Sequence, residues 1–280
     1  ALNQNKEEGT FMFFNTGESD ESLKGKYNPE GSTLRNVQYR LLEMMKYLAS
    51  VCDEIGVEFR LDGGNVLGAI RHGGFIPWDD DVDIVIRKED EKKLCDYLLK
   101  HPHKQFVLQN HETDPNFYNP WIVLRDLKSE YIQDAPMHNV RKYRGAQIDI
   151  FTEQRGTIAP LFFIAKKITA LNNNYLVGRV RFIPDMIFFL QQKLIHPAFT
   201  MISKFFGSKN RCTYSYGIYW WQKYPQKVLY PYQDLSYEGL KFPGPADPKQ
   251  FLKIKFGDNW MNLPPEESRN HHEANYRIEM

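Results

Sequence analysis

Residues 61–86 read LDGGNVLGAIRHGGFIPWDDDVDIVI, and four aspartates fall within the five positions 79–83: Asp79, Asp80, Asp81 and Asp83. The β-branched run from Val82 to Ile86 predicts a strand. Side chains alternate faces along a strand, so Asp81 and Asp83 project together while Val82 and Ile84 face a core. Two carboxylates held about 4 Å apart at an effective dielectric near 20 repel by roughly 4 kcal/mol. Such a pair either keeps a proton or takes a cation. Hard oxygen ligands suit Mg²⁺ or Mn²⁺. The glycine and glutamate spacing of an EF-hand calcium loop is absent.

Upstream of the aspartates, Val57 to Leu61 alternates as a short strand. Gly63 and Gly64 follow, and a helix is expected over 65–71. Glycines between a strand and a helix let the backbone approach a phosphate, and a helix N-terminus attracts one. A paired glycine alone is weak evidence; followed by an Asp-x-Asp strand it is stronger. Further upstream, Leu34, Val37, Leu41, Met45, Leu48, Cys52 and Ile55 recur at three- or four-residue spacing, which predicts a core-facing helix begun at Ser32 and stopped at Gly56. Downstream, 88–100 predicts an amphipathic helix, and strands are expected at 105–109, 121–127, 129–133 and 146–151. The last contains QIDIF, an apolar strand with a single acid, Asp149. A buried strand rarely holds a lone aspartate without a partner. If it neighbours the Val82 strand, Asp149 joins Asp81 and Asp83 around the metal. The pattern is α/β (α+β), with helices before and between strands.

Composition sets outer bounds. The chain has 280 residues, 42% apolar and 25% charged, with a net charge of +1, so neither a nucleic acid nor another global polyion is implied as a partner. Three dispersed cysteines, Cys52, Cys95 and Cys212, argue against a disulfide framework or a structural zinc. With no Asn-x-Ser/Thr site and no apolar run of about 18 residues, the expectation is a cytoplasmic protein. From Pro160 to Phe206 the chain is rich in Phe, Ile and Leu, with six basic residues and one acid, Asp185. Two readings stay open for this stretch. It forms core helices with snorkelling lysines, or it lies on an anionic inner membrane face. Beyond residue 210 little periodicity is visible.

The block GGNVLGAIRHGGFIPWDDDVDI resembles the signature of the LicD/fukutin family of phosphotransferases, QIDIF resembles its later aspartate element, and FGDNWMNLPPEESRNHH resembles its tail. The resemblance implies a nucleotidyltransferase-like mixed sheet flanked by helices, with an added helical, basic segment. It divides the chain into a flexible lead-in (1–30), a catalytic core (31–156), a helical basic insertion (157–210) and a C-terminal part packing on the core (211–280). It implies transfer of phosphocholine or an alditol phosphate from a CDP-activated donor to a sugar hydroxyl of a cell-surface glycan. Asp81 and Asp83 would hold the metal, Asp149 would be a third ligand or the base, and Gly63 and Gly64 would line the phosphate turn. Thr152 stands where the family often has proline. The cysteine-rich insertion of some animal members is missing, which favours a bacterial-type enzyme. Contact with the membrane through 157–206 would bring a lipid-linked acceptor within reach.

Other residues carry weaker signals. Arg71 could pair with a donor phosphate or simply sit at a helix C-terminus. His72 could shuttle a proton or pack. Arg125, on an apolar strand, needs an anion, either a ligand or an acid such as Asp126. Trp78, Phe117, Tyr118 and Trp121 could stack on a base, although core packing is the simpler reading. His271 and His272 read as surface residues. Two rival functions share the features: a nucleotidyltransferase moving NMP from an NTP, and a non-catalytic binding protein on the same fold.

Overall fold

The computed structural model describes residues 15–133, 135–156, 158–219, 221–269 and 276–278. Helix α1 (Asp20–Tyr27) leads into the long α2 (Thr33–Ile55). Ser32 Oγ accepts from the Arg35 amide at 3.1 Å and Gly56 ends α2 in the left-handed region, as capping chemistry predicts. Six of the seven stripe residues are buried; Ile55 is half-buried at the frayed end. Within the segment expected to be a flexible lead-in, α1 instead inserts Leu23 and Tyr27 into the core. Its apolar positions are too few for a period to show in the sequence.

Strand β1 (Phe59–Leu61) runs into α3 (Gly63–His72), and β2 (Val82–Arg87) follows. Helix α3 starts two residues earlier than expected, so both glycines lie in its first turn. Next come α4 (Glu91–Lys100), β3 (Phe106–Gln109), β4 (Ile122–Asp126), β5 (Ser129–Tyr131), the single turn α5 (Pro136–Asn139) and β6 (Gln147–Arg155). The main sheet is mixed, in the order β1-β2-β6-β4-β3. Only β2 and β6 are parallel within it. Helices α2 and α4 pack on this sheet, and α3 packs against β2.

Strand β6 runs four residues past its expected end, with Thr152 in register with Ile86, a position where proline would lack the N–H of a ladder donor. The extension, Glu153–Arg155, pairs with β7 (Arg211–Tyr214), which pairs with the two-residue β8 (Tyr224–Pro225). The remaining elements are α9 (Gln226–Leu229), the hairpin β9 (Gln233–Tyr237) and β10 (Leu240–Gly244), α10 (Pro248–Phe256) and β11 (Tyr276–Ile278), which pairs with β5. The C-terminal part thus extends the main sheet through β7.

Between β6 and β7 rises a helical hairpin. Its first arm is α6 (Ala159–Leu171) with a π-turn to Leu176. Its second arm is α7 (Ile183–Leu190), a π-turn over Gln191–Ile195, and α8 (His196–Phe206). Pro160, Pro184 and Pro197 stand in first helical turns, where a missing N–H is harmless. The prolines therefore mark helix starts, and the second arm runs helical through Pro197. Among the described residues no helix is long and apolar enough to cross a membrane.

His196, on the buried side of α8, packs against the Tyr216 ring at 4.9 Å, and neither ring nitrogen has a hydrogen-bond partner. Burial, with Lys88 nearby, pushes its pKa down to about 4. The folded chain therefore holds His196 neutral while the unfolded chain protonates near 6.5. Its contribution is fully present above pH 6.5 and is lost as pH falls from 6.5 towards 4, at about 1.4 kcal/mol per unit. Melting curves across that window should be flatter for His196→Phe than for the wild type.

Candidate active site

The parallel β2–β6 pairing sets Asp83 and Asp149 directly opposite each other as Cα partners. In a parallel pair, residues in register share a face, so both carboxylates rise from the same side of the sheet. Asp81 stands two residues before Asp83 and joins them. The backbone around the pair is pinned from α3. The Asp62 amide donates to the Asp83 carbonyl at 3.0 Å, and the Asp83 amide donates to Asn65 Oδ1 at 2.6 Å. From α2, Gln38 Nε2 donates to the Asp79 carbonyl at 2.9 Å.

Asp79, Asp80, Asp81, Asp83 and Asp149 are all half-buried. Burial, and then the neighbouring carboxylates, push the Asp81 and Asp83 pKa values well above the usual range. Asp79 is raised to about 7 by burial and by Asp80. Asp149 is raised less, because it accepts from Trp121 Nε1 at 2.8 Å and Gln147 Nε2 at 2.7 Å, with Arg125 and Arg141 nearby. The cluster concentrates negative charge at one point of the sheet. Among the described residues no three His, Cys, Asp or Glu side chains converge as a complete metal cage. The donor chemistry nonetheless fits a hard divalent ion, since Mg²⁺ commonly takes one or two carboxylates and completes its shell with water and substrate phosphate.

The glycine turn lies against this cluster. Gly63 has φ +49°, and a Cβ there would stand 3.2 Å from Asp83 Oδ2. A Cβ on Gly64 would stand 3.0 Å from Asp79 Oδ2. The Asp62 carboxylate makes no capping bond to α3. It accepts instead from Lys255 Nζ at 2.7 Å, from Arg60 at 2.6 Å and from the Tyr214 hydroxyl at 2.7 Å. Lys255, from α10, thereby lies 3.5 Å from the position of a Gly63 Cβ, beside Asp83. The result is a helix N-terminus, a cation and carboxylates facing one space.

A cavity of about 220 Å³ opens on the other side of Asp81, lined also by Asp80, Arg125, Arg141, Gln147 and Tyr276. Arg125 is buried. It donates to Gln109 Oε1 at 2.6 Å and to the Gly145 carbonyl at 2.8 Å, rather than to Asp126. Burial, with Arg141 beside it, lowers its pKa to about 10. Burial lowers that of Arg141 too. Two crowded guanidiniums beside a cavity form an anion-attracting wall.

Arg71 stands elsewhere. It donates to His72 Nε2 at 2.9 Å and to the carbonyls of Asn262 and Trp260, and it does not line this cavity. His72 joins Asp20 through Nδ1, which fixes a neutral tautomer between Asp20 and Arg71. Both residues tie the α3 C-terminus to α1 and the tail. His271 and His272 lie outside the described residues. Sequence reasoning missed Lys255, Arg141 and the bond from Trp121 to Asp149. Only Trp121 carried a signal, as an aromatic at the edge of an apolar strand.

Residues 56–177 match the family described as LicD/FKTN/FKRP, nucleotidyltransferase domain. The lipopolysaccharide cholinephosphotransferase LicD of Haemophilus influenzae is 34% identical over 80 residues, which are 29% of this chain and 30% of that protein. The ribitol 5-phosphate transferase FKRP of Homo sapiens is 50% identical over 50 residues, 18% of this chain and 10% of that one. An uncharacterized protein of Rickettsia prowazekii is 27% identical over 151 residues, 48% of this chain and 55% of its own. The chain thus spans between a tenth and about half of the length of these relatives. Residues 56–177, which hold the β2–β6 pair and its three aspartates, are thus similar to the nucleotidyltransferase domain of the LicD/FKTN/FKRP family.

Proposed function

We propose that this chain is a metal-dependent phosphotransferase that moves phosphocholine or an alditol phosphate from a CDP-activated donor to a sugar hydroxyl of a cell-surface glycan. The observation that carries the reading is the in-register placement of Asp83 and Asp149, with Asp81 alongside, facing the glycine-opened N-terminus of α3. The two relatives with transferase names move a phosphorylated group, phosphocholine in one and ribitol 5-phosphate in the other. In this proposal Asp81 and Asp83 would hold Mg²⁺ or Mn²⁺, which would supply neutralisation of charge on the leaving nucleotide. The α3 amides at Gly63 and Gly64, with Lys255, cradle a donor phosphate. Arg125 and Arg141 attract the donor's anionic part into their cavity. Asp149, oriented by Trp121 and Gln147 and with its pKa raised by burial, takes the proton of the acceptor hydroxyl. Positioning and charge stabilisation supply most of the catalysis.

Calorimetric titration with CDP-choline, CDP-ribitol, CDP-glycerol, CTP and CMP, with Mg²⁺ and with EDTA, tests the reading. Metal-dependent binding of one CDP conjugate above CMP, and CMP release on turnover, are expected. Preference for CTP with pyrophosphate release would overturn it in favour of nucleotidyl transfer. Gly63→Ala probes the phosphate turn. Left-handed strain costs roughly 1–2 kcal/mol, and the new methyl meets Asp83, so melting should drop by a few degrees. Misplacing the reacting groups should cost more, about 100-fold in kcat/KM.

A further inference from the structure

The hairpin of residues 159–206 is packed inside out. Its buried positions include Thr169, Asn172, Gln191, His196 and Ser203. Gln191 Nε2 donates across to the Ala165 carbonyl at 2.9 Å and to Thr169 Oγ1 at 2.8 Å, and Asn172 donates to the Pro184 carbonyl at 3.2 Å. Many of its outward positions are apolar. Along the second arm Phe182, Met186, Leu190, Leu194, Met201 and Phe205 form an exposed row at helical spacing, and Phe182 and Phe205 are 79% and 76% exposed. On the first arm Phe163, Leu171 and Tyr175 do the same. A helix pair built for water buries such residues and exposes the amides.

The charges indicate what covers this surface. Lys167, Arg179, Arg181, Lys193 and Lys204 are exposed on the hairpin and Lys166 half-exposed, against the single acid Asp185, which accepts from the Tyr118 hydroxyl at 2.8 Å. The tip reads Arg179-Val180-Arg181-Phe182, all exposed. The second arm, Ile183 to Phe206, is roughly 36 Å long at 1.5 Å per residue, yet among the described residues no helix is long and apolar enough to cross a bilayer. Basic residues interleaved with protruding aromatics suit an anionic headgroup layer.

We propose that the hairpin inserts into the interfacial layer of an anionic lipid membrane, its apolar rows among the acyl chains and its lysines and arginines at the phosphates. This holds whatever reaction the chain performs. A cavity of about 590 Å³ between α7 and the sheet reaches Trp121, which bonds Asp149. On the reaction proposed above, a lipid-linked acceptor would enter there.

Vesicle flotation of the full chain tests the inference without any assay of turnover. Vesicles of phosphatidylcholine with about a quarter phosphatidylglycerol should carry the protein upward in low salt, and pure phosphatidylcholine should carry much less. Arg179→Ala with Arg181→Ala should lower the partition coefficient by about fivefold per charge removed. Phe182→Asp with Phe205→Asp should abolish flotation while leaving circular dichroism unchanged, since both side chains are exposed. Protein that stays down with anionic vesicles overturns the proposal, as does flotation indifferent to the two phenylalanine changes. A wild-type dimer by light scattering that these changes convert to monomer, without flotation, would assign the face to a second copy instead.

Discussion

Asp83→Asn is expected to abolish turnover, by at least about 1,000-fold in kcat/KM, while leaving the protein folded and somewhat harder to melt without metal. What holds β2 in place at this residue is its amide on Asn65 and its carbonyl on the Asp62 amide, and both survive the substitution. What the carboxylate contributes to the metal-free fold is unfavourable. Burial and then Asp149 raise its pKa well above the normal range, which means that the folded state resists its charge. A neutral amide of the same shape removes that resistance, and each kcal/mol gained raises Tm by about 2–4 °C. Saturating Mg²⁺ should reverse the order. A cation that binds only the folded wild type stabilises it by mass action and does nothing for the variant. Asp81→Asn should behave alike. Full activity in either variant would sink the assignment, and a large loss of stability in metal-free buffer would show that the carboxylates serve the fold instead.

The reach of the sequence follows from how local each feature is. Helix α2 was legible because its stripe, its serine cap and its glycine stop all lie within one segment. The shared face of Asp81 and Asp83 was legible because strand alternation is a property of adjacent residues. That Asp149 stands opposite Asp83 depends on β2 and β6 being neighbours in parallel, across some 60 intervening residues, and no local pattern encodes that. Lys255 lies 193 positions from the aspartate it bonds. Its own helix shows only that it is one of several lysines. Strands β7 to β11 are two to five residues long, too short for alternation to declare itself. Arg71 illustrates the opposite failure. A cation beside a promising motif looked like a ligand for phosphate, but it is used on main-chain carbonyls of a distant tail.

The second large effect concerns Arg60, on β1, whose side chain is fully buried between two acids. It donates to Asp62 at 2.6 Å and to Glu153 at 2.8 Å, and its guanidinium lies 5.3 Å from the Phe251 ring centroid. With Lys255 on Asp62, the group holds two cations and two carboxylates, so its charges cancel. Burial alone would raise the Asp62 carboxyl, but Lys255 and Arg60 outweigh it and hold it below the usual range. Arg60→Met leaves Glu153 with tyrosine hydroxyls alone, from Tyr230 and Tyr232. An uncompensated buried charge of this kind costs about 3–5 kcal/mol, or roughly 10 °C in Tm for a chain of this size. Glu153→Gln in the same background removes the stranded charge and should restore at least half of that loss, which a double-mutant cycle would read directly. The effect should also reach the site, because Asp62 begins α3 and its carboxylate is what holds Lys255 beside Gly63. Donor binding should therefore weaken in Arg60→Met even at temperatures where the protein is folded. A variant as stable as the wild type would mean that water or movement of β1 relieves Glu153, and that Arg60 is a passenger in the network.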